Sequence, residues 1–147
     1  GHINDNFTLG RNSINALIPK TTSCVRASSY VLPFLSDKFL SVSYRVPTSI
    51  VSSADVSVKL KKKTNKEEII KLFLEKQRTQ KYKVFFNNTE PLVSTDFISS
   101  EYTAIIDQRW TEVNAANYLK MILWYDNEWG YSSRVVDTIK FIGEQIA

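Results

Sequence analysis

The spacing of apolar positions divides the chain into segments before any side-chain chemistry is considered. From Thr21 or Thr22 onward, Cys24, Ala27, Val31 and Leu35 recur at near-helical spacing on one face. This predicts a helix bounded by Pro33, whose ring and missing amide disfavour a helix interior. Two alternating runs follow. Leu40, Val42, Tyr44 and Val46 share one face, with Ser41, Ser43 and Arg45 on the other, and Pro47 closes the run. Ala54, Val56, Val58 and Leu60 then oppose Asp55, Ser57, Lys59 and Lys61. A period of two with one apolar face predicts antiparallel strands that are wetter on one side.

Thr64 and Glu67 have the spacing of a capping box. Behind them Ile69, Ile70, Phe73, Leu74 and Gln77 form a helical stripe, with Lys66, Lys71, Glu75 and Lys76 outside it. Short strands are predicted over residues 82–86, 92–97, 103–109 and 118–125. The last is apolar on both faces except at Lys120, which predicts a central strand covered on both sides. A closing helix runs from about residue 128 to 145, with Val135, Ile139, Ile142 and Ile146 as its stripe. The predicted fold class is α+β: a large mixed, mostly antiparallel sheet with helices packed on one face. Trp110, Trp124 and Trp129, with many Tyr and Phe, predict a second apolar surface, whose natural use is a subunit contact.

Composition narrows the picture. The 147 residues are 43% hydrophobic and 23% charged, as expected for a globular domain. Apolar runs stay well short of the roughly 20 residues that cross a bilayer, so no membrane is expected. Residues 1–8 are polar and aperiodic, and are expected to be a loop left from an upstream segment or a cloning scar. Residues 9–147 are expected to form one domain. The net charge is +4, and Lys61, Lys62 and Lys63 read as a solvated strand end or loop. No interleaved aromatic stripe accompanies them, so nucleic acid is not an expected partner. The single cysteine, Cys24, excludes an internal disulfide and fits a reducing cytoplasm. It is a candidate nucleophile near a helix start, but its place on the apolar stripe argues for a buried structural thiol. The sequence has no Gly-rich phosphate loop and no Cys/His spacing for a metal. Its single histidine, His2, falls in the aperiodic start.

Several segments carry a resemblance. Residues 124–137 read Trp-Tyr-Asp-Asn-Glu-Trp-Gly-Tyr-Ser-Ser-Arg-Val-Val-Asp. Arg45, Val46, Pro47 and Thr48 form a second block. Gly10 and Arg11, then Leu17, Ile18 and Pro19, then Thr21 and Thr22, form a third, and residues 92–97, Leu-Val-Ser-Thr-Asp-Phe, a fourth. In order and spacing, over about residues 9–147, they resemble the C-terminal catalytic domain of glyceraldehyde-3-phosphate dehydrogenase.

The resemblance implies a glycolytic, cytoplasmic, homotetrameric enzyme. Such an enzyme oxidises and phosphorylates glyceraldehyde 3-phosphate with NAD and inorganic phosphate. The family's cofactor domain, nucleophilic cysteine and activating histidine precede this region and do not occur here. The resemblance therefore implies a truncated chain with no catalytic residue of its own and no turnover alone. It assigns substrate or phosphate contact to Arg45, Arg11, Thr22 and Ser23. Arginine offers a donor fork to phosphate, and a helix start favours an anion. Ser23 stands where the family usually has Gly, which puts the inorganic-phosphate pocket in question. Asn127 would hold the nicotinamide carboxamide, because its amide both donates and accepts; as a plain residue it would be a helix cap. Tyr131 would pack beside the same ring, or else in the core. Asp137 is expected in a structural ion pair. Arg45 and Asn127 are expected to share one cleft. Erythrose-4-phosphate dehydrogenase of the same family, and a non-catalytic binding or assembly module, are the competing readings.

Overall fold

A computed structural model describes residues 8, 10–11, 14–115 and 117–146. The loop expected over residues 1–8, with His2, lies outside the described residues except at Thr8. The chain divides into two units, Gly1–Ser49 and Ile50–Ala147, and each is described by itself.

The first unit pairs β1 (Ile18–Lys20) antiparallel with β2 (Ser43–Arg45). Between them lie α1 (Cys24–Val31) and a 3-10 turn at Pro33–Leu35. Pro33 stands at the first position of that turn, where its missing amide costs nothing. The helix expected from Thr21 or Thr22 is present, but its stripe does not form a core. No residue of α1 is buried, and Cys24 is exposed. Only three residues of the run from Leu40 to Val46 join a ladder, and Leu40 is 98% exposed. Alternation predicted a buried face here, but a ladder of two short strands is too small to cover one.

The second unit holds a four-stranded sheet in the order β3-β6-β5-β4, from Ser52–Lys59, Tyr118–Tyr125, Ala104–Asn114 and Phe85–Asn88. Two pairings are antiparallel, and β4 runs parallel to β5. β6 is central, as its two apolar faces predicted. On one face Ile106, Leu119 and Met121 bury against Ile69 of α2 (Lys66–Thr79), with Val56, Phe73 and Leu123 packed around them. The other face holds Val51, Phe97 and Ile105, flanked by Phe86, Tyr102 and Trp124. Trp124 thus belongs to the core rather than to an outer apolar surface, while Trp110 and Trp129 are exposed. The expected α+β class is the one observed.

Four local expectations shift, the first three because a side chain takes over backbone groups. The cap of α2 is Asn65, whose Oδ1 accepts the Glu68 amide at 2.9 Å. The Thr64 hydroxyl instead donates to the Glu68 carboxylate, so the cap sits one residue later than predicted, as a single side-chain cap in place of the predicted box. The strand expected over 82–86 begins only at Phe85, because Gln80 Oε1 accepts the Val84 and Phe85 amides. The strand expected over 92–97 is a 3-10 turn, Ser94–Phe97, drawn in by Asp96 Oδ2 accepting the Val93 amide at 2.8 Å. The strand expected to end at Arg109 continues to Asn114 across an irregularity between Asp107 and Glu112.

A buried polar network crosses β5. Asp107 is wholly buried and holds Arg109 through Nε at 2.8 Å and Nη2 at 2.6 Å. Trp124 Nε1 donates to the same carboxylate at 3.1 Å, and Arg109 also reaches the Leu92 carbonyl. Burial opposes ionisation of Asp107, yet the Arg109 and Trp124 donors outweigh it and hold the carboxyl below its ordinary range.

Candidate functional site

In the first unit, β1 leads directly into the Thr21-Thr22-Ser23 turn, and the ladder sets Arg45 opposite Ile18. The strand carrying Arg45 and the strand feeding Thr22 are therefore tied together. Thr22 Oγ1 accepts the Cys24 amide at 3.2 Å, so this hydroxyl caps the start of α1. Ser23 occupies the N-cap position without a side-chain cap bond and is exposed. Thr21, Thr22 and Ser23 line a surface depression together with Arg26, Ala27 and Tyr30. The Arg26 guanidinium lies 5.9 Å from the Tyr30 ring centroid, and the first turn of α1 carries no acid. Arg45 and Arg11 are both exposed.

Sequence reasoning missed Arg26 and Tyr30. The signal was available: with Thr22 they sit at successive four-residue steps, which place them on one helix face.

In the second unit, α3 (Asn127–Ile146) begins where β6 ends. Asp126 supplies its cap, with Oδ1 accepting the Glu128 amide at 3.1 Å and the Trp129 amide at 2.9 Å. Its other oxygen accepts the Ser99 amide at 2.8 Å. Burial disfavours the Asp126 anion, but the amides of Trp129, Ser99 and Glu128 prevail and lower its pKa. Because Asp126 takes the capping role, Asn127 does not, and its side chain is exposed. Tyr131 is 71% exposed and is not a core residue. Gly130 allows α3 a close approach: a Cβ there would meet the Tyr102 carbonyl oxygen at 3.1 Å. Asp137 lies 2.7 Å from Arg134, as expected for a structural ion pair. Arg45 belongs to the first unit and Asn127 to the second. No group of acids, histidine and cysteine that could hold a metal occurs among the described residues, and no described helix is long and apolar enough to cross a membrane.

Residues 1–127 match the family model for the C-terminal domain of glyceraldehyde 3-phosphate dehydrogenase. Glyceraldehyde-3-phosphate dehydrogenase 2 of Bacillus subtilis is 40% identical over 131 residues, covering 89% of this chain and 38% of the relative. The enzyme of Omphalotus olearius is 38% identical over 146 residues, 99% of this chain and 43% of its own length. The cytosolic enzyme of Ginkgo biloba is 39% identical over 140 residues, 95% of this chain and 41% of its own. Fold and matches together define the class, an α+β domain of the kind that dehydrogenases carry. More narrowly, the chain belongs to the glyceraldehyde-3-phosphate dehydrogenase family, within its C-terminal domain. It spans about two-fifths of the length of these relatives.

Proposed function

We propose that the chain forms the catalytic-domain portion of an NAD-dependent enzyme that oxidises and phosphorylates glyceraldehyde 3-phosphate to 1,3-bisphosphoglycerate. Residues 9–147 act as one functional domain. Arg45 and Arg11 grip phosphate oxygens, and Thr22 and Ser23 line an anion pocket beside them. Asn127 orients the cofactor's carboxamide, and Tyr131 lies beside the ring. When bound, NAD takes the hydride, while this chain's residues bind and orient.

One observation carries the reading. All six of these side chains stay out of the core, and Asp126 relieves Asn127 of the capping duty that would otherwise occupy its amide. The 147-residue chain supplies no nucleophile in the family's motif context, so no turnover is expected from it alone. In this reading the working protein acts in the cytoplasm as a homotetramer. Exposed Trp110, Trp129 and Tyr118 in the second unit suit a contact between copies.

Soaking crystals with phosphate tests the anion sites: an ion held by Arg45 with Arg11 or Thr22 supports them, and those side chains tied into internal pairs would favour an assembly module. Steady-state rates of the complete enzyme on both aldehydes test the substrate. Faster turnover of erythrose 4-phosphate would reassign it.

A further inference from the structure

Among the described residues, three buried side-chain polar atoms lack a hydrogen-bond partner: Tyr82 Oη, Arg134 Nε and Asp137 Oδ2. All three residues line the same cavity, of about 190 Å³, which Val84, Thr138 and Phe141 complete. Native proteins seldom leave such atoms unsatisfied, and three at one place point to an occupant.

The neighbouring groups are already engaged. Arg134 Nη1 donates to the Lys83 carbonyl and to Thr103 Oγ1. Arg134 Nη2 is 2.7 Å from Asp137 Oδ2, an ionic contact without hydrogen-bond alignment. Thr138 Oγ1 donates to the Arg134 carbonyl at 2.8 Å. The Lys81 ammonium is bonded to Glu144 at 2.6 Å and stands 5.2 Å from the Tyr82 ring centroid; Glu144 first, and then the Tyr82 hydroxyl it also approaches, raise its pKa.

The chemistry of the open positions selects the occupant. Arg134 Nε offers a donor, Asp137 Oδ2 an acceptor, and Tyr82 Oη either. Arg134 and Asp137 cancel each other's charge. An anion would face the carboxylate, and a cation would face the guanidinium. A neutral hydroxyl accepts from the first and donates to the second. Val84 and Phe141 add apolar wall that suits a short carbon skeleton, and the volume exceeds one water's share of about 30 Å³.

We propose that this cavity is a binding site for a neutral hydroxyl group, supplied by solvent water or by a small diol. The occupant links residues 82–84 to α3, and the assignment does not depend on the proposed enzymatic reaction.

Crystals of the protein grown without polyols, then soaked in 1,2-ethanediol, acetate or ammonium, provide the test. Ordered oxygen density is expected within about 3.2 Å of at least two of the three atoms before soaking. Diol hydroxyls are expected at the same positions afterwards. Tyr82→Phe is expected to at least halve the diol occupancy. If water is present and the diol stays out, the hydroxyl assignment stands with solvent as its source. An empty cavity, direct pairing of the three atoms with one another, or displacement of the water by acetate or ammonium overturns the proposal. So does diol density that Tyr82→Phe leaves unchanged, which marks an adventitious additive only. If the Phe variant fails to fold, the wild-type soaks still decide between these results.

Discussion

The two units bury very different amounts of themselves. Among the described residues of Gly1–Ser49, Ile18 is the one buried hydrophobic, whereas Ile50–Ala147 buries Val51, Ile69, Phe97, Ile105, Ile106, Leu119 and Met121. The second unit also holds the buried polar groups Asn87, Asn88, Asp107, Gln108, Thr111 and Asp126. The first unit instead displays its chemistry: exposed Arg11, Arg45 and Arg26, with the hydroxyls of Thr22 and Ser23 at the surface. One unit therefore carries most of the buried core, and the other carries the exposed residues to which ligand contact is proposed. Substitutions in the two should separate stability from binding.

The largest stability effect is expected at Asp107. Asp107→Asn keeps the shape but removes the charge that Arg109 and Trp124 point at. Losing one partner of a buried pair costs about 3–5 kcal/mol. Because the Arg109 side chain is 29% exposed, we expect about 2–4 kcal/mol here. Urea unfolding with an unchanged m-value reads it; a loss under about 0.5 kcal/mol would mean that the network holds little of the second unit together. The pH dependence has a definite sign. The folded pKa values of Asp107 and Asp126 both lie below the ordinary carboxylate range. Their stabilisation is thus complete above the unfolded value of about 4 and is lost as pH falls through the lower folded values. The acid limb of a stability–pH curve should flatten in Asp107→Asn.

Next in size is Asp126→Ala, which strips three backbone amides of their acceptor. A cap is worth roughly 0.5–2 kcal/mol, and this one also ties down Ser99, so we expect about 2 kcal/mol. Hydrogen exchange should quicken first at Ser99, Glu128 and Trp129. Equal acceleration across all of β5 would instead indicate global loosening. Gly130→Ala comes third. Its new methyl would meet a backbone oxygen, which yields less readily than a side chain, so about 1 kcal/mol is expected from a thermal melt.

The same contrast explains what the sequence disclosed. Strands with both faces occupied were readable: the two apolar faces of residues 118–125 correctly announced the central strand, and the stripe Ile69–Phe73–Gln77 announced α2. Local periodicity failed in the first unit, because Leu40, Val42, Tyr44 and Val46 alternate without anything of their own unit to cover them. It also failed wherever a side chain substitutes for backbone. Gln80 delays β4, Asp96 turns a strand into a 3-10 turn, and Asp126 takes the cap that Asn127 could have had. In each case the polar residue was visible, but its partner amide was not. Val51 was invisible for a related reason. It is a buried β-branched residue with a φ of 66° at the entry to β3, and nothing in an apolar letter signals a left-handed backbone. The residues proposed to contact phosphate and cofactor stand in motif blocks, whereas Arg26 and Tyr30 belong to none and are marked in the sequence only by their four-residue spacing from Thr22.

The smallest stability effect is the one that most sharpens the contrast. Arg45 ends a three-residue strand, is exposed, and makes no ion pair among the described residues. Arg45→Ala should therefore change unfolding free energy by no more than about 0.5 kcal/mol, the usual range for a surface site. Phosphate binding should respond differently. A charge-assisted arginine contact contributes about 1.5–3 kcal/mol, so loss of this side chain should weaken anion affinity by roughly tenfold or more. Calorimetric titration with phosphate beside a urea melt measures both quantities on one sample. Arg45→Lys should recover only part of the affinity, since an ammonium keeps the charge but not the two-pronged geometry. A melt that shifts while the titration does not would make Arg45 a structural residue, and the first unit would then be a poorly covered scaffold instead of a surface that presents ligand groups.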